Sequence, residues 1–150
     1  LTVLAAGNNQ NVAYIGGGFA KSPHSITVAA TGPSTSYDPF KSGFVKSYSS
    51  RYPGENNAIK PDIAAPDGFM GARAKSGFRR SYGFGTSFSA PIISGAAALL
   101  KEKCTQCSPL ALKSLLMNNA FRDIRYNQTS SEKAPITLVG SGEVRINKAL

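Results

Sequence analysis

The stretch GFGTSFSAPIISGAAALL, Gly83 to Leu100, sets how the rest of the chain is read. Gly83 and Gly85 permit backbone angles that residues with side chains avoid, so the chain can turn sharply just before Ser87. From Phe88 to Lys103 the pattern is helical, with Pro91 in a first turn where its missing N–H has no intrahelical partner. Ala90, Ser94, Gly95, Ala96, Ala97 and Ala98 leave this helix almost without polar surface, which predicts burial against a sheet in the middle of a domain. Orphan N–H groups and the positive end of the macrodipole gather at such a helix start, so an oxyanion developing beside Ser87 Oγ would be stabilised. Taken alone, a serine here would simply cap the helix. A phosphate loop would need a lysine in the G-K-S/T arrangement, and the glycine spacing does not match the dinucleotide fingerprint.

Working outward, the chain alternates short elements with turns and shows no internal repeat. Leu1 to Ala6, LTVLAA, reads as a fully buried strand that needs paired neighbours on both sides. It ends at Gly7-Asn8-Asn9 and a glycine-rich loop through Gly16, Gly17 and Gly18. Ser25 to Ala30, SITVAA, is a second strand, followed by a loop from Thr31 to Phe40. Phe44 to Ser49 alternates as a half-exposed strand does, RYPGENN is a turn, and Pro61 to Pro66 is a short strand stopped by proline. Gly68 to Tyr82 reads as irregular and basic. A second helix is predicted from Pro109 to Ala120 with Ser108 as its N-cap, and the closing GSGEVRINKAL offers a turn, a short strand and a helical stub.

The 150 residues, 41% of them hydrophobic, suit one globular domain. No apolar run approaches the roughly 20 residues of a membrane span, and the opening residues carry no signal-peptide pattern. A net charge of +9 raises the question of nucleic acid. The bases are scattered from Lys21 to Lys148, however, with one cluster at Arg73, Lys75, Arg79 and Arg80, and no helix has a basic face interleaved with aromatics. A solvated basic surface is the reading, with no nucleic-acid partner.

The string Gly85-Thr86-Ser87-Phe88-Ser89-Ala90-Pro91, with Gly95 and an alanine-rich helix behind it, resembles the nucleophile motif of the subtilisin-like serine proteases, the subtilases. VLAAGN, Val3 to Asn8, is similar to the strand that ends in that family's oxyanion-hole asparagine, and SITVAA to the strand that follows. KSYSSRYPG, IKPDIAAP and the closing segment also resemble family segments in the family's order. The resemblance implies an α/β fold with a mostly parallel sheet flanked by helices. It implies a serine endopeptidase acting on polypeptide substrates, with Ser87 as the attacking nucleophile. The Asn8 side-chain amide and the Ser87 N–H would donate to the tetrahedral oxyanion. Leu4, Ala5, Ala6 and Gly7 would wall the pocket for the residue before the scissile bond, with Thr86 also at the substrate site.

A serine hydroxyl needs a histidine base, and the histidine needs an orienting carboxylate. His24, in KSPHSITV, is the sole histidine and lacks the family's surroundings, so it reads as a loop residue. Asp62 and Asp67 lie near a strand end, outside the family's aspartate context. The family places both missing groups before the oxyanion asparagine. Residues 1–150 therefore look like the C-terminal portion of a catalytic domain, inactive alone and partnered by an upstream half that carries Asp and His. The competing reading is a degenerate homologue that binds peptide without cleaving it.

Ile92 and Phe88 stand where the family often has histidine and methionine, and Asp67 interrupts the usual Ala-Pro-Gly, which reads as surface variation. The cluster from Arg73 to Arg80 suggests a preference for acidic residues on the leaving-group side. Cys104 and Cys107 supply two of the four ligands of a zinc site, so they form either a local disulfide or a pair of thiols. Asn127-Gln128-Thr129 is a glycosylation sequon. No cofactor is expected in this segment; the resemblance allows a structural calcium ion and implies an exported protein.

Overall fold

The structure, a computed structural model, describes residues 1–10, 18–32, 43–77 and 80–150, with backbone alone at 52, 55 and 80–82. Gly16, Gly17, Arg79 and most of the loop expected after Thr31 lie outside the described residues. The elements in chain order begin with β1 (Thr2–Ala5), a 3-10 turn at Gly18–Lys21, β2 (Ser25–Gly32), β3 (Phe44–Val45), β4 (Tyr52–Pro53) and a 3-10 turn at Glu55–Asn57. They continue with β5 (Ile59–Lys60), β6 (Ile63–Pro66), β7 (Phe69–Ala72), β8 (Arg80–Gly83), α1 (Thr86–Lys103), α2 (Pro109–Asn118), α3 (Ile136–Val139) and α4 (Ile146–Ala149).

The centre is β2, buried along its whole length. On one edge it pairs in parallel with β1, Thr2 opposite Ser25 through Ala5 opposite Val28. Beyond the end of β1 the same edge takes up β3 in antiparallel fashion, Thr31 opposite Val45. The other edge pairs in parallel with β6, Val28 opposite Ile63 through Thr31 opposite Pro66. Strand side chains alternate between faces, and the core divides accordingly. Ile26, Val28, Ile63 and Ala65 pack with Ile93, Ala96, Ala97 and Leu100 of α1 and with Leu112 and Leu116 of α2. Ala29 and Ala64 point the other way, into a layer with Val45, Ile124, Leu138 and Val139. A mostly parallel sheet with α1 and α2 on one face and the single-turn α3 among the residues that cover the other is the α/β class that the sequence implies.

The second helix meets its expectation: the Ser108 hydroxyl accepts from Ala111 N at 3.2 Å, and Pro109 holds the first position. Four readings need correction. First, α1 starts at Thr86 rather than Phe88. It also buries one stripe, Thr86, Ser89, Ile93, Ala96, Ala97 and Leu100, while Pro91, Ser94, Gly95, Ala98 and Leu99 are exposed among the described residues. Second, β1 is half-buried, with only its β2 edge paired among the described residues. Third, Gly68 to Tyr82 is not irregular, because β7 and β8 form an antiparallel hairpin from Phe69 opposite Gly83 to Ala72 opposite Arg80. The sequence hides it because Phe69, Met70 and Ala72 are all exposed, leaving no alternation to detect. Fourth, the strand expected over Phe44 to Ser49 stops at Val45; the chain then turns, with Lys46 N donating to Ala30 O at 3.0 Å and Ser49 Oγ accepting from Ala30 N at 3.1 Å.

Cys104 and Cys107 are joined in a disulfide between α1 and α2, which resolves the alternative left open by their spacing. Asn127 of the sequon is exposed and closes its own turn, its Oδ1 accepting from Thr129 N at 3.0 Å and Ser130 N at 2.7 Å.

Glu143 carries a pH signature. It accepts from the Thr31 hydroxyl at 2.5 Å, and burial pushes its carboxyl above the ordinary 4.5 against the opposing pull of that hydrogen bond and of Arg145. A raised folded-state value means that the native chain holds the proton longer than the unfolded one. This contribution to stability is therefore complete below pH 4.5 and lost as pH rises through the folded value. Glu143→Gln, which keeps an acceptor for Thr31, is expected to gain stability relative to wild type between pH 4.5 and pH 7. Urea midpoints at the two pH values check this; midpoints that shift in parallel would refute it.

Candidate active site

The end of β1 and the start of α1 meet through hydrogen bonds between residues nearly eighty positions apart. Gly7, at φ +108°, turns the chain out of β1 so that Asn8 faces the helix start. The Asn8 Oδ1 accepts from both Thr86 N and Thr86 Oγ1 at 3.0 Å. The buried Thr86 hydroxyl also accepts from Gly7 N at 3.1 Å, so one side chain holds both strand end and asparagine. With the amide oxygen engaged twice, the amide orientation follows from the network, and the Nδ2 hydrogens of the exposed Asn8 are left to donate to another partner.

Gly85 is the N-cap, at φ +123° and with no side-chain cap. A Cβ there would lie 3.0 Å from Asn8 Nδ2, so the position demands glycine both for its angles and for space. Ser87 is consequently the second residue inside α1, not its cap, and it is exposed. Thr86 N is taken by Asn8 and Phe88 N by Gly85 O at 2.9 Å, while among the described residues the Ser87 N–H has no acceptor. A hydroxyl, a free N–H and an amide donor thus cluster at the positive end of an 18-residue helix. Leu4, Ala5, Ala6 and Gly7 run beside them; Ala6 is buried and the other three are half-buried.

The asparagine loop is braced from behind. Ser50 N donates to Gly7 O at 3.0 Å, Asn9 N to Ser50 Oγ at 2.9 Å and Gln10 N to Tyr48 O at 3.0 Å. The same segment reaches Asp67, whose carboxylate accepts from the Tyr48 hydroxyl and, at 2.8 Å, from Gly85 N. Lys46 Nζ lies 3.7 Å from the other oxygen. Asp67 is 3% exposed, which corrects its reading as surface variation. An acidic residue inserted directly after a buried, proline-ended strand was the available signal.

His24 is exposed and precedes the first residue of β2, whereas Asn8 follows the last residues of the parallel β1. Opposite ends of parallel strands four residues long lie roughly 13 Å apart at about 3.3 Å per residue, so His24 does not serve Ser87. Of the basic cluster, Arg73 and Lys75 are exposed in the turn of the β7–β8 hairpin. Among the described residues no three His, Cys, Asp or Glu side chains gather as a metal site, and no helix is long and apolar enough to cross a membrane. A cleft of about 380 Å³ between Ile59, Met117, Arg122 and Ile136 shares no residue with the Ser87 site.

Comparison with known proteins bears on the fold and the family. In solved structures the chain is similar to Sphericase, with TM-score 0.73 and 23% identity over 95% of this chain and 47% of that one. It is also similar to the prenylagaramide maturation protease PagA, with TM-score 0.69 and 24% identity over 99% of this chain and 49% of that one. Among curated relatives, Subtilisin-like protease SBT3.4 of Arabidopsis thaliana is 36% identical over 118 residues, covering 70% of this chain and 15% of that protein. Subtilisin-like protease SBT3.16 of the same plant is 37% identical over 99 residues, covering 65% of this chain and 12% of that protein. The chain thus spans about half of the similar solved structures and a small fraction of these relatives. The subtilase family model matches residues 1–142, and the chain belongs to that family.

Proposed function

We propose that this chain is the nucleophile and oxyanion portion of a serine endopeptidase. Ser87 Oγ attacks the scissile carbonyl of a polypeptide and carries the acyl group. Asn8 Nδ2 and the Ser87 N–H donate to the oxyanion, and Leu4 to Gly7 flank the residue before the cleaved bond. The base and its orienting carboxylate come from an upstream segment, because the only histidine in the sequence lies at the wrong end of the sheet. The observation that carries this reading is the pair of 3.0 Å hydrogen bonds from Thr86 to Asn8 Oδ1, which leave Nδ2 to donate elsewhere, next to a Ser87 N–H that has no acceptor among the described residues. The Cys104–Cys107 disulfide suits an oxidising compartment and so an exported protein.

A fluorophosphonate tests the assignment, since it couples to a serine activated by its base. In the intact protein an adduct mapped to Ser87, absent from Ser87→Ala, is the expected result. An intact protein that carries an upstream Asp and His yet takes no adduct would favour the non-catalytic, peptide-binding reading instead.

A further inference from the structure

We propose that Asp67 is a positioning residue for the nucleophile turn, acting through the Gly85 N–H and the Tyr48 hydroxyl; the proposal rests on the reading of Ser87 as the nucleophile. Three segments converge on this one carboxylate. Its own N–H is bonded to Thr31 O at 2.9 Å, which ties it to the end of β2. Its Oδ2 accepts from Gly85 N at 2.8 Å and from the Tyr48 hydroxyl, and its Oδ1 faces Lys46 Nζ at 3.7 Å. The segment Tyr48 to Ser50 in turn holds both sides of Asn8: Ser50 N donates to Gly7 O, Ser50 Oγ accepts from Asn9 N, and Tyr48 O accepts from Gln10 N.

The contacts close a ring: Asn8 to Thr86, Thr86 to Gly85 along the chain, Gly85 to Asp67, Asp67 to Tyr48, and Tyr48 back to the asparagine loop. Among the described residues Asp67 is the one carboxylate bonded directly within it. The charge matters because a neutral amide offers one acceptor oxygen and turns two N–H donors toward the Lys46 ammonium. Gly85 has no side chain to hold it, so its N–H is the handle by which the residues before Ser87 are kept in place. A shift there is transmitted to Thr86, to the Asn8 amide and to the Ser87 N–H. Displacements of about 1 Å at a reacting centre cost on the order of a hundredfold in rate.

The test uses the intact protein with Asp67→Asn and Tyr48→Phe, and reads kcat and KM per fluorophosphonate-titrated site together with hydrogen exchange at the Gly85 amide. For Asp67→Asn, kcat is expected to fall about tenfold to a hundredfold with KM unchanged within about twofold. Gly85 exchange is expected to rise about tenfold or more. Tyr48→Phe, which keeps the carboxylate, should move both in the same direction by less, and it stands as the test if Asp67→Asn does not fold. A merely structural role would lower the melting temperature while leaving kcat per titrated site and Gly85 exchange at wild-type values, and that result overturns the proposal. Should the wild-type protein never label at Ser87, the proposed function fails separately. Gly85 exchange still decides the Asp67 contact, and an unchanged value there defeats it.

Discussion

Asn8→Ala in the intact protein is expected to lower kcat by a hundredfold to a thousandfold with little change in KM. That range is borrowed from subtilisin's own oxyanion asparagine. Nδ2 contributes most when the carbonyl oxygen becomes an oxyanion, so its loss appears in turnover rather than in substrate binding. Alanine also strips Thr86 N and Thr86 Oγ1 of their acceptor, which mixes two effects. Asn8→Asp separates them: an aspartate keeps the oxygen that Thr86 needs and replaces the Nδ2 donor with a negative charge. It should therefore be at least as impaired as Asn8→Ala while staying as stable as wild type. An Asn8→Asp protein that retained kcat within a few-fold would mean that Asn8 merely anchors Thr86.

The second large effect is on stability. Asp62, 6% exposed, bonds Lys60 Nζ at 2.6 Å through Oδ2 and Lys113 Nζ at 2.8 Å through Oδ1, and accepts from Thr27 N at 2.7 Å. Both ammonium groups also donate to Ser25 O. Burial pushes the Lys60 ammonium below its ordinary value while Asp62 pulls the other way, with Lys113 adding to the downward push. Asp62→Ala would leave two nearly buried cations facing each other with backbone carbonyls alone as partners. Removal of one member of a buried ion pair typically costs 3–5 kcal/mol, and a loss of about that size is expected. Urea unfolding measures it. A loss under about 1 kcal/mol would mean that water reaches the cluster once the carboxylate is gone. Lys113→Met, which removes one cation and keeps most of the volume, should be much milder.

The parts of this molecule that announce themselves in sequence are those whose physics is local. A glycine that must turn, a threonine and serine at a helix start, a proline in a first turn and the Ser108 cap each act over a few residues, and each was legible. So were the buried strands, because Ile26, Val28 and Ile63 are apolar and β-branched within short runs. What stayed hidden depends on partners far along the chain. Asp67 directly follows an apolar run and looks like loop chemistry until Tyr48 and Gly85 close over it. Lys113, inside a leucine-rich helix, reads as a solvent-facing charge until Asp62, 51 positions away, accepts from it. The hairpin of β7 and β8 escaped for a different reason: its described side chains at Phe69, Met70 and Ala72 stay exposed, so burial imposes no period.

The bonds that hold the asparagine loop span long separations: 79 residues from Gly7 to Thr86, 78 from Asn8 to Thr86 and 41 from Asn9 to Ser50. Closing loops of that length is slow relative to the winding of a helix, because the entropy of closure comes before any contact rewards it. During folding, then, α1 can present Ser87 long before Asn8 arrives opposite it. In a half-folded chain the helix start lacks its Asn8 acceptor, so the contact between strand end and helix is completed only with the native topology.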